Sequence, residues 1–251
     1  MKKLTIVFLL IVTCVSGAFS QNFGLLPFFE MEVEAGRFLG VREQVGVNMM
    51  IFDSFLSVGI DAYWATTEVD EEDVSFGETQ VSASYLWPNI WDDLNLGLIG
   101  IYAASNTNEK INDFLFSNID FTCASGVSWD PSDKLSVAAM LGWTSVDDSF
   151  MPLVKFEYHD ATWAIDAFFP SNAYVYYIVN DKLQAGAFID SRFINFDRKN
   201  DSEINLKLLQ VGTGCRYKLN DFFTGTLELS GNYDIKRKDV KPSVTIGIRL
   251  L

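Results

Sequence analysis

The sequence predicts an all-β protein: a closed, antiparallel transmembrane β-barrel of 12–14 strands. Three observations predict it. Apolar and polar residues alternate one for one, as in Phe29-Glu30-Met31-Glu32-Val33-Glu34-Ala35. Short, turn-like links alternate along the chain with longer polar ones. The 251 residues open on Met1-Lys2-Lys3, an apolar run over 4–15 and then small residues, the order of a secretory leader. Successive strand side chains point to opposite faces, so 29–35 has one apolar face and one face of three carboxylates. A helix would scatter those glutamates around its circumference.

Residues 1–20 read as the leader, cut after Ala18-Phe19-Ser20, and 21–251 as one outer-membrane barrel domain. The leader's apolar run is too short for a spanning helix, which needs about 20 apolar residues. Cys14 follows Thr13, a poor match to a lipidation signal, and is expected to leave with the leader.

The first two strands are expected near 28–38 and 42–51, with the turn Phe52-Asp53-Ser54 leading to a third at 55–66. In the third, Leu56, Val58, Ile60, Ala62 and Trp64 form an apolar face opposite Ser57, Gly59 and Asp61. The polar stretch 67–78, with its acidic run Glu68-Val69-Asp70-Glu71-Glu72-Asp73, reads as a solvated outer loop. It lacks the Asp-x-Asp-x-Asp-Gly order of a calcium loop. Strands at 79–87 and 94–104 flank the link 88–93, and 105–113 forms a second outer loop. Strands at 116–129 and 134–144 flank Asp130-Pro131-Ser132-Asp133; in the second, Leu135, Val137, Ala139, Leu141 and Trp143 share a face.

Strands at 151–158 and 162–169 follow around His159-Asp160-Ala161, and at 172–179 and 182–190 around Asn180-Asp181. A third outer loop, 191–203, precedes strands at 204–219 and 222–234 around Asn220-Asp221, then a last strand at 241–250. Asn, Asp and Pro suit such turns because they tolerate or preset the backbone angles. The full count is 14; without the weak patterns 151–158 and 172–179 it is 12. Short periplasmic turns and longer outer loops are the expected asymmetry, and an even number puts both ends in the periplasm. Trp87, Trp91, Trp129 and Trp163 fall near the periplasmic turns, Trp64 and Trp143 at the opposite strand ends. They are the expected interface girdle, where a ring meets lipid and its N–H meets water.

Three segments carry a resemblance: Trp129-Asp130-Pro131-Ser132-Asp133-Lys134-Leu135, Phe169-Pro170-Ser171-Asn172-Ala173-Tyr174-Val175-Tyr176-Tyr177 and Asn180-Asp181-Lys182-Leu183-Gln184-Ala185-Gly186-Ala187. With them the chain resembles uncharacterised outer-membrane β-barrel families of porin-like type. The resemblance implies export to a bacterial outer membrane, contact with its lipid, insertion by the barrel-insertion machinery and a lumen for small solutes. The chain departs from that pattern in ending Ile248-Arg249-Leu250-Leu251, where such barrels often end in an aromatic residue.

A formal charge of −14 repels nucleic acid, so no such partner is expected. Cys123 and Cys215, left after the leader is lost, fall on the apolar parity of non-adjacent strands and read as small apolar residues. Neither has a Cys or His at ligand spacing, so neither metal nor cofactor is expected. His159 is the only histidine and has no nucleophile beside it, and the common hydrolase and phosphate-binding motifs are absent. An enzyme is not expected.

The lumen carries the functional expectation. Glu30, Glu32 and Glu34 must face water and, left alone, repel one another. Arg42, Lys155, Arg216 and Arg249 fall on the polar side of their strands as basic partners. Glu30, Glu32, Glu34, Asp61, Arg42 and Arg216 are therefore the lumen and selectivity candidates of a passive, porin-like channel for small hydrophilic solutes. The alternative is a non-conducting structural or surface-interaction protein of the same membrane; a secreted soluble β-sandwich is more distant.

Overall fold

One-for-one alternation is satisfied by a sheet that curls until its first and last strands meet, enclosing one face and leaving the other outside. In a computed structural model, fourteen antiparallel strands close into such a barrel. Residues 26–51, 54–69, 72–91, 93–107, 118–145, 148–197 and 203–250 are described. The strands are β1 (Leu26–Ala35), β2 (Phe38–Ile51), β3 (Ser54–Val69), β4 (Glu72–Trp91), β5 (Leu94–Thr107), β6 (Asn118–Ser132) and β7 (Leu135–Thr144). Then come β8 (Ser149–His159), β9 (Trp163–Phe169), β10 (Asn172–Ile178), β11 (Leu183–Asp197), β12 (Glu203–Lys218), β13 (Phe223–Asp234) and β14 (Asp239–Leu250). Each pairs with its chain neighbours, and β1 pairs with β14 from Phe29↔Leu250 to Ala35↔Val244. The segments 151–158 and 172–179 are strands, β8 and β10, so the number is 14 rather than 12. The leader, and most of the loop expected at 105–113, lie outside the described residues.

Strand ends differ from expectation, one by shortening and the others by extension. β1 stops at Ala35 instead of 38, because Gly36 turns the chain with φ of +142°. A Cβ at Gly36 would sit 2.2 Å from the Pro242 carbonyl oxygen, so glycine alone fits. The link 88–93 is mostly strand: β4 runs to Trp91 through a register shift after Trp87, and β5 begins at Leu94. The loops expected at 67–78 and 191–203 are largely strand too, with Glu68↔Asp73 and Asp197↔Glu203 in register. Beyond the apolar belt both faces meet water, so alternation fades while the backbone still needs partners.

The outward face carries Leu39, Val58, Ile60, Val81, Leu98, Val127, Leu141, Val154, Ile189, Val211, Leu229 and Ile246, all exposed. An apolar belt circling the whole barrel is far larger than a water-soluble monomer tolerates. Closure leaves no unpaired sheet edge in hydrocarbon. This is the outer face of a membrane-spanning barrel. The inner wall is uneven: Ile99, Ile101, Ala124, Met140 and Leu153 make an apolar sector on β5–β8, and most of the inward charged residues lie on the other strands. Wall height is uneven as well, from twenty residues in β4 to seven in β9 and in β10.

The rim bearing Leu26 and Leu250, the near rim, is closed by repeated side-chain-capped turns. Asn180 Oδ1 accepts the N–H groups of Lys182 and Leu183, and Asn220 Oδ1 those of Phe222 and Phe223. Asp160 Oδ1 does the same for Thr162 and Trp163, and its other oxygen accepts from the Tyr158 hydroxyl. These donors hold the Asp160 carboxyl below the usual carboxylate range. At the far rim, Phe38, Ala65, Phe76 and Leu208 pack inside the barrel with Tyr63 and Val74. Arg37, in the β1–β2 turn, donates to Asp234 (2.9 Å) and Asp239 (3.0 Å) and ties that turn to the β13–β14 turn.

A charged layer across the lumen

β1 turns Glu30, Glu32 and Glu34 inward, and the three are not equivalent. Arg249 Nη2 donates to both oxygens of Glu30, at 2.9 and 2.7 Å. Glu34 accepts from Arg192 (2.8 Å), the Ser243 hydroxyl (2.8 Å) and the Tyr63 hydroxyl (3.2 Å). Glu32 stands in register with Arg42 and Gly247, yet makes no ion pair or hydrogen bond among the described residues. Arg42 is bound instead to Asp61, its diagonal neighbour on β3.

The remaining basic residues are placed differently from expectation. Arg216 lies over the Tyr176 ring, 4.1 Å from its centroid, and does not pair with the β1 glutamates. Lys155 bonds Glu157 on its own strand (2.8 Å), far from β1. The strongest partner of β1, Arg192, falls in the stretch expected to be a loop; its Nε also reaches Asp190 (3.3 Å). Its signal was the even-numbered inward period Gln184, Gly186, Phe188, Asp190, which simply continues. Tyr63, Glu78, Tyr174 and Glu228 are further lumen residues that sequence reasoning did not single out.

Three cavities follow one another along this charged side of the lumen. The far one, of about 400 Å³, is lined by Glu34, Tyr63, Glu78, Gln80, Asn172 and Thr245 among others. The middle one, of about 170 Å³, is lined by Glu30, Gln44, Gln210, Glu228 and Arg249. Glu32, Arg42, Tyr174, Asp190 and Arg192 line both and form the layer between them. Arg249 also lines a third cavity, of about 360 Å³, that reaches the near-rim turns at Asp181 and Asn220. Glu30, Glu34 and Asp61 are each matched by an arginine. Glu32, Glu78 and Glu228 have no basic partner within ion-pair distance among the described residues, so the lumen keeps a negative surplus.

The expected girdle residues all lie on the outward face, Trp64 well inside β3, which runs on to Val69. Trp91 and Trp129 flank Leu94 in one row across β4–β6, and Trp91 is 75% exposed. Trp87 packs edge-on against Tyr85, and Trp163 against Tyr177 at 5.3 Å. Trp64 covers Gly77, and Trp143 donates to Asp148 (3.1 Å). His159 ends β8 and bonds Asp166 at 2.9 Å. Cys123 and Cys215 are free thiols on β6 and β12.

No family model and no curated protein matches the chain. Among solved structures it is similar to the outer membrane protein Omp33 of Acinetobacter baumannii, at 12% identity and a TM-score of 0.51, over 88% of this chain and 96% of that one. It is also similar to the NanC porin, at 10% identity and 0.47 over 90% and 100% of the two chains. For the KdgM porin the values are 11% and 0.45, over 89% and 98%. The likeness is one of fold: a closed, all-β barrel.

Proposed function

We propose that the chain is a porin-like passive channel of a bacterial outer membrane, favouring small hydrophilic cations. The observation that carries this is the stack of three cavities along the lumen, of which the far and middle ones are together lined by seven carboxylates and three guanidinium groups. A fixed negative surplus in a narrow passage concentrates cations and repels anions. The fold likeness to an outer membrane protein supports the location, with residues 1–20 as the export signal and the barrel-insertion machinery as the partner in assembly. The six outward tryptophans then anchor the barrel at the two interfaces. Glu32 and Arg42 in the layer, Glu34 and Asp61 in the far cavity and Glu30 in the middle one are the selectivity residues, and Arg216 lines the near cavity below them.

One observation favours a second reading, a non-conducting structural protein. The apolar cluster of Phe38, Phe76 and Leu208 fills part of the lumen at the far rim. Planar-bilayer recording of the purified protein under a tenfold KCl gradient decides between them. A reversal potential on the potassium side supports the cation channel, and Glu32→Gln should move it toward zero. An anion-side potential refutes the cation preference, and silence from a folded, inserted barrel favours the structural reading.

A further inference from the structure

We propose that the far and middle cavities together form a binding site for a short aliphatic diamine, with one ammonium group on each side of the charged layer. The proposal rests on the channel reading for its role, but the site stands on its own geometry. Glu32 borders both cavities and has no partner among the described residues. Each cavity is also lined by a residue whose buried side-chain oxygen lacks a donor. Gln210, 1% exposed, lines the middle cavity; its Nε2 donates to the Ser230 hydroxyl at 2.8 Å, and its Oε1 is unpartnered. Thr245, 4% exposed, lines the far cavity with its Oγ1 unpartnered.

Buried acceptors without donors are costly, and a ligand that brings N–H groups removes that cost. The acceptors stand on separate strands (Glu32 on β1, Gln210 on β12, Glu228 on β13) around one small space. An ammonium group, with three diverging donors, matches such a ring better than a flat guanidinium fork, which suits a single carboxylate. A bare metal ion fits poorly: among the described residues no three His, Cys, Asp or Glu side chains are grouped to hold one. Because Glu32 lines both cavities and each is walled by its own residue with an unpartnered oxygen, two ammonium groups joined by a short chain meet more of the site than one.

The test uses purified, folded protein and 1,4-diaminobutane, with 1-aminobutane and tetramethylammonium as controls. In bilayers, diaminobutane should block potassium current saturably, at about a tenfold lower concentration than aminobutane. Tetramethylammonium, which carries charge but no N–H donor, should not block at that concentration. Glu32→Gln should raise the blocking concentration tenfold or more, and Gln210→Leu several-fold. If the barrel does not conduct, calorimetry in detergent replaces the current. Saturable diaminobutane binding that Glu32→Gln abolishes would then uphold the site while the channel reading falls. Equal effects of diaminobutane and tetramethylammonium, or an unchanged response in a folded Glu32→Gln protein, overturn the proposal. Where Glu32→Gln fails to fold, the ligand comparison on the unmutated protein decides alone.

Discussion

Arg37 shows what a single buried charge does in this barrel. Its side chain is 2% exposed, against 0% for its partner Asp234, which also accepts from Arg237 and from two backbone N–H groups. Removing one member of a buried pair leaves the other's desolvation uncompensated. Arg37→Ala should therefore lower stability by about 3 kcal/mol, seen as an earlier urea midpoint in detergent micelles. Asp160 acts at the surface and through pH. Its carboxyl is held below its unfolded value by hydrogen bonds to the charged form. The stability it supplies is present above about pH 4 and is lost as pH falls further, through the folded value. Asp160→Asn keeps an acceptor without a titrating proton, so the gap between the two proteins' melting temperatures should change only in that acid range. At this scale the sequence was partly legible. The alternation 29–35 announced three inward carboxylates, but not that Glu30 and Glu34 would be paired and Glu32 left over. Their arginines lie 219 and 158 residues along the chain, and only the closed register brings them in.

At the scale of elements, the turns were the more readable part. Asn180 and Asn220 stand where the sequence placed them, and each caps two N–H groups of its own turn. Asn180→Ala and Asn220→Ala should each cost about 1 kcal/mol, measured as a shift of the urea midpoint at unchanged slope. Gly36→Ala should cost more, about 2 kcal/mol, because it meets the Pro242 carbonyl and a backbone angle that alanine avoids. Strand existence was legible throughout, even for seven-residue β10. Strand ends were not, because polar residues such as Glu68 and Asp73 pair by backbone alone once the strand leaves the apolar belt. That blindness hid Arg192 inside an expected loop.

At the scale of the whole molecule, a closed barrel resists detergent until heated. The unheated protein should migrate differently from the boiled one on a detergent gel, whereas a soluble sandwich would show a single position. The outward belt and the wet inner wall were legible as two faces of one period, but the apolar lumen sector on β5–β8 was not. Its Ile99 and Ile101 face inward only because β5 is in register with Ser82 and Ser84 of β4. The seam between β1 and β14 governs something further, the order of events in time. Every other pairing joins strands that are consecutive in the chain, so each can form once its neighbour has emerged. The seam joins residues such as Glu34 and Ser243, 209 apart, and long-range closure comes slowly. Glu30 meets Arg249 only across that seam, so an unfinished sheet carries a row of carboxylates along an open edge. The lumen and its charge balance come into being together, with the last strand.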